Sequence, residues 1–281
     1  MTLEATFWDV QHGSAAFIRT PNGRSIAIDL GTGSYSGNNA VFSPLLHLKT
    51  KYQIDSLDYV VITHPHTDHI DDIDNFNKLS PRILRRPRHL SPDDIKAGNP
   101  KQDQNKVEKY IEIDNRFTSP VVEETNSVLP QNNGGVKFTF FSPTKCNKSN
   151  LNNHSIITIV EYCGHKIIIP GDNESESWDE LLGKPGFIDA IRNTDIFVAS
   201  HHGRESGYHP ELFNYFKPRL TIVSDGAETD TSAVNRYTKI STGWEVYKRS
   251  GGSINRNCLT TRNDGPIVVK LGNNFINVTI D

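Results

Sequence analysis

The fold is decided by residues 59–69, which read Tyr-Val-Val-Ile-Thr-His-Pro-His-Thr-Asp-His. The apolar start predicts a buried strand, and the strand ends in three imidazoles and one carboxylate. These groups are ligands that suit Zn²⁺, and also Mn²⁺ as a harder cation. Pro65 favours an extended backbone at His64, so we expect His64 and His66 to face one cation, and Asp68 and His69 to reach a second. A solvated polar loop is the alternative, but it would suit a single histidine better than this group of four.

Two later strand ends repeat the pattern. An apolar run at 167–169 ends in Pro170, Gly171 and Asp172, and a short apolar run at 196–199 is followed by Ser200, His201 and His202. Adjacent histidines point in different directions, so one can bind metal while the other faces substrate. Taken alone, Asp172 would be interpreted as a turn residue and the two histidines as a surface pair. Their common placement favours a metal site.

The composition excludes few classes of protein. The chain has 281 residues, a net charge of -3, 35% hydrophobic residues and 22% charged residues, so its overall charge gives no argument for a nucleic-acid or membrane partner. Its three cysteines are widely spaced and odd in number, which favours a reducing cytoplasm over a disulfide framework. No secretory signal or apolar stretch of the ~20 residues needed to span a bilayer is evident. We therefore expect a cytoplasmic protein without a membrane partner.

The remaining sequence predicts the general organisation of the chain. Strands are expected at 7–10, 15–18 and 25–29, and a helix near 41–51. The segment at about 80–135 is rich in Pro, Asn, Lys and Asp, and we interpret it as an irregular insertion with short elements that could form a substrate-facing lid. Because neither an internal repeat nor a linker is evident, a single domain over 1–281 is expected.

The order of these motifs resembles the metallo-β-lactamase superfamily. Within that superfamily the flanking segments 7–18, 152–157, 200–206 and 244–247 are similar to the ComEC-like hydrolase branch, which includes the hydrolase domain of a DNA-uptake channel. The resemblance extends over about 4–272 and is weakest in the middle, and we expect a stand-alone form of this domain. Two departures are visible: Asp71 and Asp72 replace the usual Gly-Gly after the histidine motif, and Gln11-His12-Gly13 replaces Gly-Gln-Gly.

The resemblance implies an α/β fold, the four-layer αββα sandwich, with two divalent ions, Zn or Mn, at one edge of its sheets. Carried over by position, one cation would be held by His64, His66 and His154, and the other by Asp68, His69 and His202, with Asp172 bridging them. His201 would face the substrate. Asn153 remains an alternative to His154, because relatives often have Asn in this segment.

The predicted reaction is hydrolysis, most simply of a phosphodiester in nucleic acid. Two cations about 3.5–4 Å apart can activate a water molecule and stabilise charge on a phosphoryl oxygen. We assign catalytic roles to Asp68, to Asp172 as the group that orients the nucleophile, and to His201 as a proton donor. The basic residues of 82–89 could contact phosphates, although a solvated loop explains them equally well. A hydrolase of an ester, thioester or lactam would also fit these residues, as would an effector subunit with a protein partner in a defence or DNA-processing system.

Overall fold

The computed structural model describes residues 1–33, 42–226 and 230–281. In chain order the strands are β1 (Leu3–Phe7), β2 (Ala16–Arg19), β3 (Ser25–Ile28), β4 (Tyr59–Val61), β5 (Ile83–Arg85), β6 (Lys137–Phe141), β7 (Ile157–Tyr162), β8 (His165–Ile169), β9 (Ile196–Val198), β10 (Leu220–Val223), β11 (Trp244–Lys248), β12 (Ser253–Arg256), β13 (Cys258–Thr260), β14 (Ile267–Gly272) and β15 (Phe275–Ile280). The α-helices are α1 (Pro44–Thr50), α2 (Thr67–Ile70), α3 (Pro92–Ala97), α4 (Gln104–Asp114), α5 (Ser175–Leu182), α6 (Pro185–Ile191), α7 (Val234–Ile240) and α8 (Thr261–Asp264). A 3₁₀ helix at Asp71–Leu79 continues from α2.

Two sheets form the centre of the molecule. Among the described residues, the first sheet has nine strands in the order β12-β11-β15-β14-β1-β2-β3-β4-β5, and the second has six in the order β13-β10-β9-β8-β7-β6. The apolar side chains between the sheets form one buried core, which includes Ile26, Ile28, Ile167 and Ile169. Removing such apolar surface from water is the main favourable term in folding.

Helices cover the outer face of each sheet. Leu45 and Leu48 of α1 belong to a buried cluster on the first sheet. Trp178 and Leu181 of α5 belong to another on the second sheet. The layers are therefore helix, sheet, sheet and helix, which confirms the predicted αββα sandwich.

Parallel strands bring the chemically important loops to one edge. β3, β4 and β5 are parallel neighbours in the first sheet, and β8, β9 and β10 are parallel neighbours in the second. The loops after parallel strands leave the sheet at the same end. This arrangement places Asp29, the histidine motif after β4, Asp172 and the loop after β9 at corresponding strand ends.

The segment 80–135 is more regular than the sequence indicated. β5 extends the first sheet, and α4 buries Val107, Tyr110 and Ile113 in the outer cluster. The single-domain organisation and the lid stay predictions.

The helix expected near 41–51 is α1. Ser43 caps it by accepting a hydrogen bond from the Leu46 amide, and Val41 lies outside the described residues. In the ranges that the structure describes, every helix is too short or too polar to cross a membrane.

A partly buried carboxylate on α5 supports the loop that precedes the candidate site. Glu180 accepts hydrogen bonds from the backbone amides of Thr144 and Lys145 and pairs with Lys184 at 2.9 Å. Although burial raises it, Lys184 and the backbone donors hold the pKa of Glu180 at about 2.

We predict that Glu180→Gln lowers the free energy of unfolding at pH 7 by about 1.5–3 kcal/mol, because the hydrogen bonds lose their charged acceptor. The folded-state pKa is depressed, so the contribution is complete above the unfolded pKa and is lost as the pH falls toward about 2. Urea denaturation at pH 7 and pH 3 should show a smaller difference from the wild type at pH 3. The exposed Glu112→Gln is the control, and an equal effect of both variants would contradict the prediction.

Candidate metal centre

Four side chains from three loops converge at the sheet edge. Asp68, His69, Asp172 and His202 offer ligand atoms that all lie within 4.8 Å of one another. Asp172 Oδ2 is 3.3 Å from His69 Nε2 and 3.2 Å from His202 Nε2, and Asp68 Oδ2 is 3.3 Å from His202 Nε2. Both Nε2 atoms are buried and lack a partner of hydrogen-bond geometry among the described residues. Imidazole nitrogens and carboxylate oxygens that face a common point in this way fit a divalent cation such as Zn²⁺ or Mn²⁺.

Asp29 fixes the orientation of His69. Its Oδ2 accepts a hydrogen bond from His69 Nδ1 at 2.8 Å, and its Oδ1 accepts one from the Thr63 amide at 2.8 Å. With Nδ1 engaged, Nε2 of His69 is directed toward Asp172. A carboxylate behind a metal-binding histidine typically sets its tautomer and basicity in this way.

His202 is held by a strained backbone. His201 and His202 have φ values of 49° and 53°, and Gly203 follows with a φ of 76°. The left-handed region is unfavourable for non-glycine residues and is often found at functional sites. The turn lets His202 Nδ1 donate to the Ser224 carbonyl at 3.1 Å, so Nε2 faces the two carboxylates.

His64 and His66 lie beside this cluster. His64 Nε2 is 3.0 Å from His66 Nδ1, and the ring centroid of His64 is 4.2 Å from that of His69. Burial lowers the pKa of His66 and lowers the pKa of His64 well below its usual value. Both rings are therefore neutral and have a lone pair for a cation.

A side-chain amide also lies beside His66. The Asn152 side chain interacts with His66 and partly opposes the effect of burial on its pKa. Its Oδ1 is buried and has no hydrogen-bond partner in the described part of the chain. Asn152 was not among the residues that the sequence singled out as ligands.

The structure places His154 and Asn153 in different interactions. His154 Nδ1 is 2.8 Å from His89 Nε2, and the structure describes no contact from His154 to His64 or His66. Asn153 accepts from the Glu174 amide and donates to Glu176. The contacts that the structure describes for His154 and Asn153 thus do not connect them with His64 and His66, and their role as ligands stays a prediction.

His201 lies next to the cluster without joining it. Its Nε2 is 4.0 Å from Asp172 Oδ2 and accepts a hydrogen bond from Arg204 Nη1 at 3.0 Å. Its Nδ1 donates to Ser206 Oγ at 2.9 Å and also lies 2.9 Å from Glu174 Oε1, and the interaction with His201 lowers the pKa of Glu174 to about 2. The contacts at Nδ1 fix the His201 ring, so that its Nε2 and the Arg204 guanidinium lie together beside Asp172.

His12 also belongs to the site, although the sequence marked it only as a departure from the family pattern. Its Nε2 is 3.3 Å from Asp68 Oδ2, and its ring centroid is 5.3 Å from that of His202. Burial lowers the pKa of His12 to about 4. A cavity of about 310 Å³ opens here and is lined by His12, His66, Thr67, Asp68, Gly98, Asn99, Pro100 and Asp103.

The charges of the cluster balance in pairs. Burial alone would lower the pKa values of His202 and His69. The neighbouring carboxylates outweigh this effect and raise the pKa of His202 to about 9 and the pKa of His69 well above its usual value. Against the opposite effect of burial, the imidazoles hold the pKa values of Asp68 and Asp172 well below the usual range. A divalent cation bound here would displace the protons of His69 and His202.

Of the site residues, Asp29, His12, Asn152 and Glu174 were not assigned to the site by sequence reasoning. Asp29 had a weak signal, because it ends an apolar strand just before Gly31 and Gly33, as Asp172 follows one. Nothing in the spacing of Glu174 connects it with His201.

We predict that Asp29→Asn weakens metal binding about 10–100-fold, because the neutral amide no longer fixes the His69 tautomer with a charge. Competition with a chromophoric chelator measures the affinity. Asp58→Asn is the matched control, since Asp58 accepts from the Ser25 amide and pairs with Arg24 at the opposite end of β3. Equal affinities of the two variants would rule out this role for Asp29.

The backbone of Asp68 is packed against glycine. A Cβ at Gly31 would lie 2.6 Å from the Asp68 carbonyl oxygen and 2.9 Å from the Ser14 amide nitrogen. We predict that Gly31→Ala displaces the Asp68 loop, reduces the bound metal measured by elemental analysis, and costs about 1–3 kcal/mol of stability. Gly186→Ala, where the added Cβ meets nothing within 4 Å, should leave both quantities unchanged. A fully metal-loaded Gly31→Ala protein would contradict the packing argument.

Comparisons with known proteins agree with this fold. Residues 8–108 match the Metallo-beta-lactamase superfamily. The chain is 24% identical over 240 residues to ComE operon protein 3 of Bacillus subtilis (strain 168), a match that covers 79% of this chain and 28% of that protein. The chain thus spans less than a third of the length of this curated relative.

Solved structures show the same fold at low sequence identity. The metallo-beta-lactamase fold protein YhfI from Bacillus subtilis is 12% identical, with a TM-score of 0.50 over 96% of this chain and 100% of that one. A variant of the CmlA beta-hydroxylase is 10% identical, with a TM-score of 0.51 over 95% of this chain and 54% of that one. The superfamily match over residues 8–108 supports a metal-dependent enzyme, and the fold implies divalent metals. With its αββα layers, its histidine motif and its Asp-His cluster at one sheet edge, the chain has the metallo-β-lactamase fold, and residues 8–108 match that superfamily.

Proposed function

We propose that this protein is a dinuclear metal-dependent phosphodiesterase that cleaves nucleic acid. The observation that carries the proposal is the convergence of Asp68, His69, Asp172 and His202, in which the buried Nε2 atoms of both histidines face carboxylate oxygens without hydrogen bonds. His64 and His66 extend this set on one side, so that ligands for two cations lie together.

The donors divide between two positions. His64 Nε2 and His66 Nδ1 would hold one cation, with Asn152 Oδ1 as a third donor. Asp68, His69 and His202 would hold the second, and Asp172 would contact both. When bound, the two cations supply the Lewis acidity that activates water and stabilises charge on a phosphoryl oxygen.

The protein's own residues then orient the reactants. Asp172 Oδ2 lies between His69 and His202 and is placed to accept a hydrogen bond from the attacking water. His201 and Arg204 form a pair beside Asp172, where the guanidinium donates toward negative charge that develops on the substrate. Ser206 and Glu174 hold His201 in this position through their contacts with Nδ1.

The choice of a phosphodiester is supported by two features. The flanking motifs resemble the ComEC-like branch, and the similarity to ComE operon protein 3 extends over 79% of the chain. Residues 82–88 also bring four arginines to the strand next to the histidine motif. Because one fold can host several reactions, hydrolysis of an ester, thioester or lactam remains an outcome of the test. The proposed cytoplasmic location, protein partner and effector role stay predictions.

We predict that the purified protein binds two divalent cations per chain and hydrolyses bis-p-nitrophenyl phosphate and DNA when Mn²⁺ or Zn²⁺ is supplied. Asp68→Ala and His69→Ala should each lower kcat/KM at least about 100-fold, because each removes a direct ligand. Elemental analysis and initial rates on linear and circular DNA and on RNA measure the two effects.

His165→Ala is the matched control, because His165 begins β8 at the end opposite to Asp172. It should retain wild-type metal content and rate. Cleavage of p-nitrophenyl esters without cleavage of phosphodiesters would transfer the proposal to ester hydrolysis. Metal-free wild-type protein after loading, or full activity in both ligand variants, would overturn it.

A further inference from the structure

A second cavity, of about 460 Å³, lies at the edge of the first sheet beside β5. We call it the arginine cavity, because its lining includes Arg82, Arg85, Arg86, Arg88 and Arg116. Among the described residues no acidic side chain lines it, in a protein whose net charge is -3. Its remaining wall is partly apolar and includes Phe117, Val121 and Val122. The volume is that of a site for a small ligand.

The arginines of this cavity differ in how many ion pairs and hydrogen bonds they already make within the protein. Arg86 is a structural residue, since it pairs with Asp114 and donates to the carbonyls of Leu84 and Phe117. Arg88 is exposed and has no ion pair in the ranges that the structure describes. Arg82 is 59% exposed and lies 3.8 Å from Asp58, a distance at which a solvated pair contributes little.

Arg85 carries the argument furthest. Its guanidinium stacks over the Phe140 ring at 4.0 Å, which connects the edge strands of the two sheets. Its Nε is buried without a hydrogen-bond partner, and no carboxylate pairs with it in the described part of the chain. Burial lowers the pKa of Arg85, but a guanidinium stays charged. A half-buried cation without a partner is costly, and a bound anion would offset that cost.

The arginine cavity is next to the metal motif in the sheet. Arg85 is paired with Val61, and its carbonyl accepts a hydrogen bond from the Ile62 amide at 2.9 Å. Two residues after Ile62 the segment that follows β4 reaches His64, and four residues after Arg85 the segment that follows β5 reaches His89. At up to 3.8 Å between consecutive Cα atoms, the Cα of His64 lies within about 8 Å of the Cα of Ile62. An extended polyanion can therefore reach both places.

We infer that the arginine cavity binds a phosphate-bearing nucleotide unit of a nucleic-acid strand, outside the segment held at the metal centre. This assignment of ligand rests on the proposed function. Arg82, Arg85 and Arg88 donate to phosphate oxygens, for which the planar guanidinium is well suited. The apolar wall of the cavity packs against the sugar or base. Because phosphate contacts carry no sequence information, the cavity adds affinity and sets register.

The test measures binding without turnover. Fluorescence anisotropy of a labelled single-stranded DNA of about 20 nucleotides is recorded in EDTA, so that the outcome does not depend on cleavage. Arg82→Gln/Arg88→Gln removes two exposed charges from the cavity. Lys248→Gln/Arg249→Gln is the matched control, because it removes two exposed charges near the opposite end of the nine-strand sheet. Circular dichroism and thermal denaturation verify that both variants fold.

We expect the cavity variant to bind at least about 10-fold more weakly and the control to bind like the wild type. The slope of log Kd against log salt should fall by about 1.4 in the cavity variant, at about 0.7 per lost phosphate contact on a single strand. Competition by AMP, supplied at the same phosphate concentration as an unlabelled strand, tests whether a free nucleotide suffices; stronger displacement by the strand supports the proposal.

Equal affinities of the cavity variant and the control would overturn the inference, as would displacement by AMP that matches displacement by the strand. These outcomes are separate from failure of the proposed function. A wild type that binds DNA through the cavity but cleaves no phosphodiester would retain this site and contradict the enzyme proposal alone.

Discussion

The buried carboxylate of Asp29 is the interaction on which the site depends. Asp29 follows β3. Its carboxylate accepts hydrogen bonds from the amide and the hydroxyl of Thr63, after β4, and from Nδ1 of His69 in the next helix. One side chain thus joins two neighbouring strand ends and the motif between them. Because Asp29 is fully buried, its charge is sustained only by these donors, and their loss would leave it unpaired in the interior.

In the candidate metal centre the fold itself brings groups of opposite charge together. Two carboxylates and two imidazoles from three loops lie together, with Asp68 partly buried and the other three buried, and each pair shifts the pKa values of its partners. The backbone of the site is also strained, because His201 and His202 have positive φ values in the left-handed region. Strain and buried charge both cost stability, and the large apolar core between the sheets offsets that cost.

The arginine cavity and the metal centre share a structural cause. β4 and β5 are parallel neighbours, so the residues after one strand run beside the residues after its neighbour. The first of these segments carries imidazoles and the second carries arginines, and His89 connects the second to His154. Side chains that can bind cations and side chains that can donate to anions therefore occur side by side, which is a combination that the proposed phosphodiesterase would use.

The sequence by itself determined the fold and the order of its motifs, because a buried strand followed by His64, His66, Asp68 and His69 combines a local hydrophobic pattern with ligand spacing. It also marked Asp172 and His202 through the same strand-end logic. Only the tertiary structure decided which groups meet: Asp29, His12, Asn152 and Glu174 come from separate segments, and His154 faces His89 instead of the cluster. The arginine cavity likewise required the register of β4 and β5. Local patterns fix which residues end a strand, but the pairing of strands and the side-chain orientations that follow from it are properties of contacts far apart in the chain.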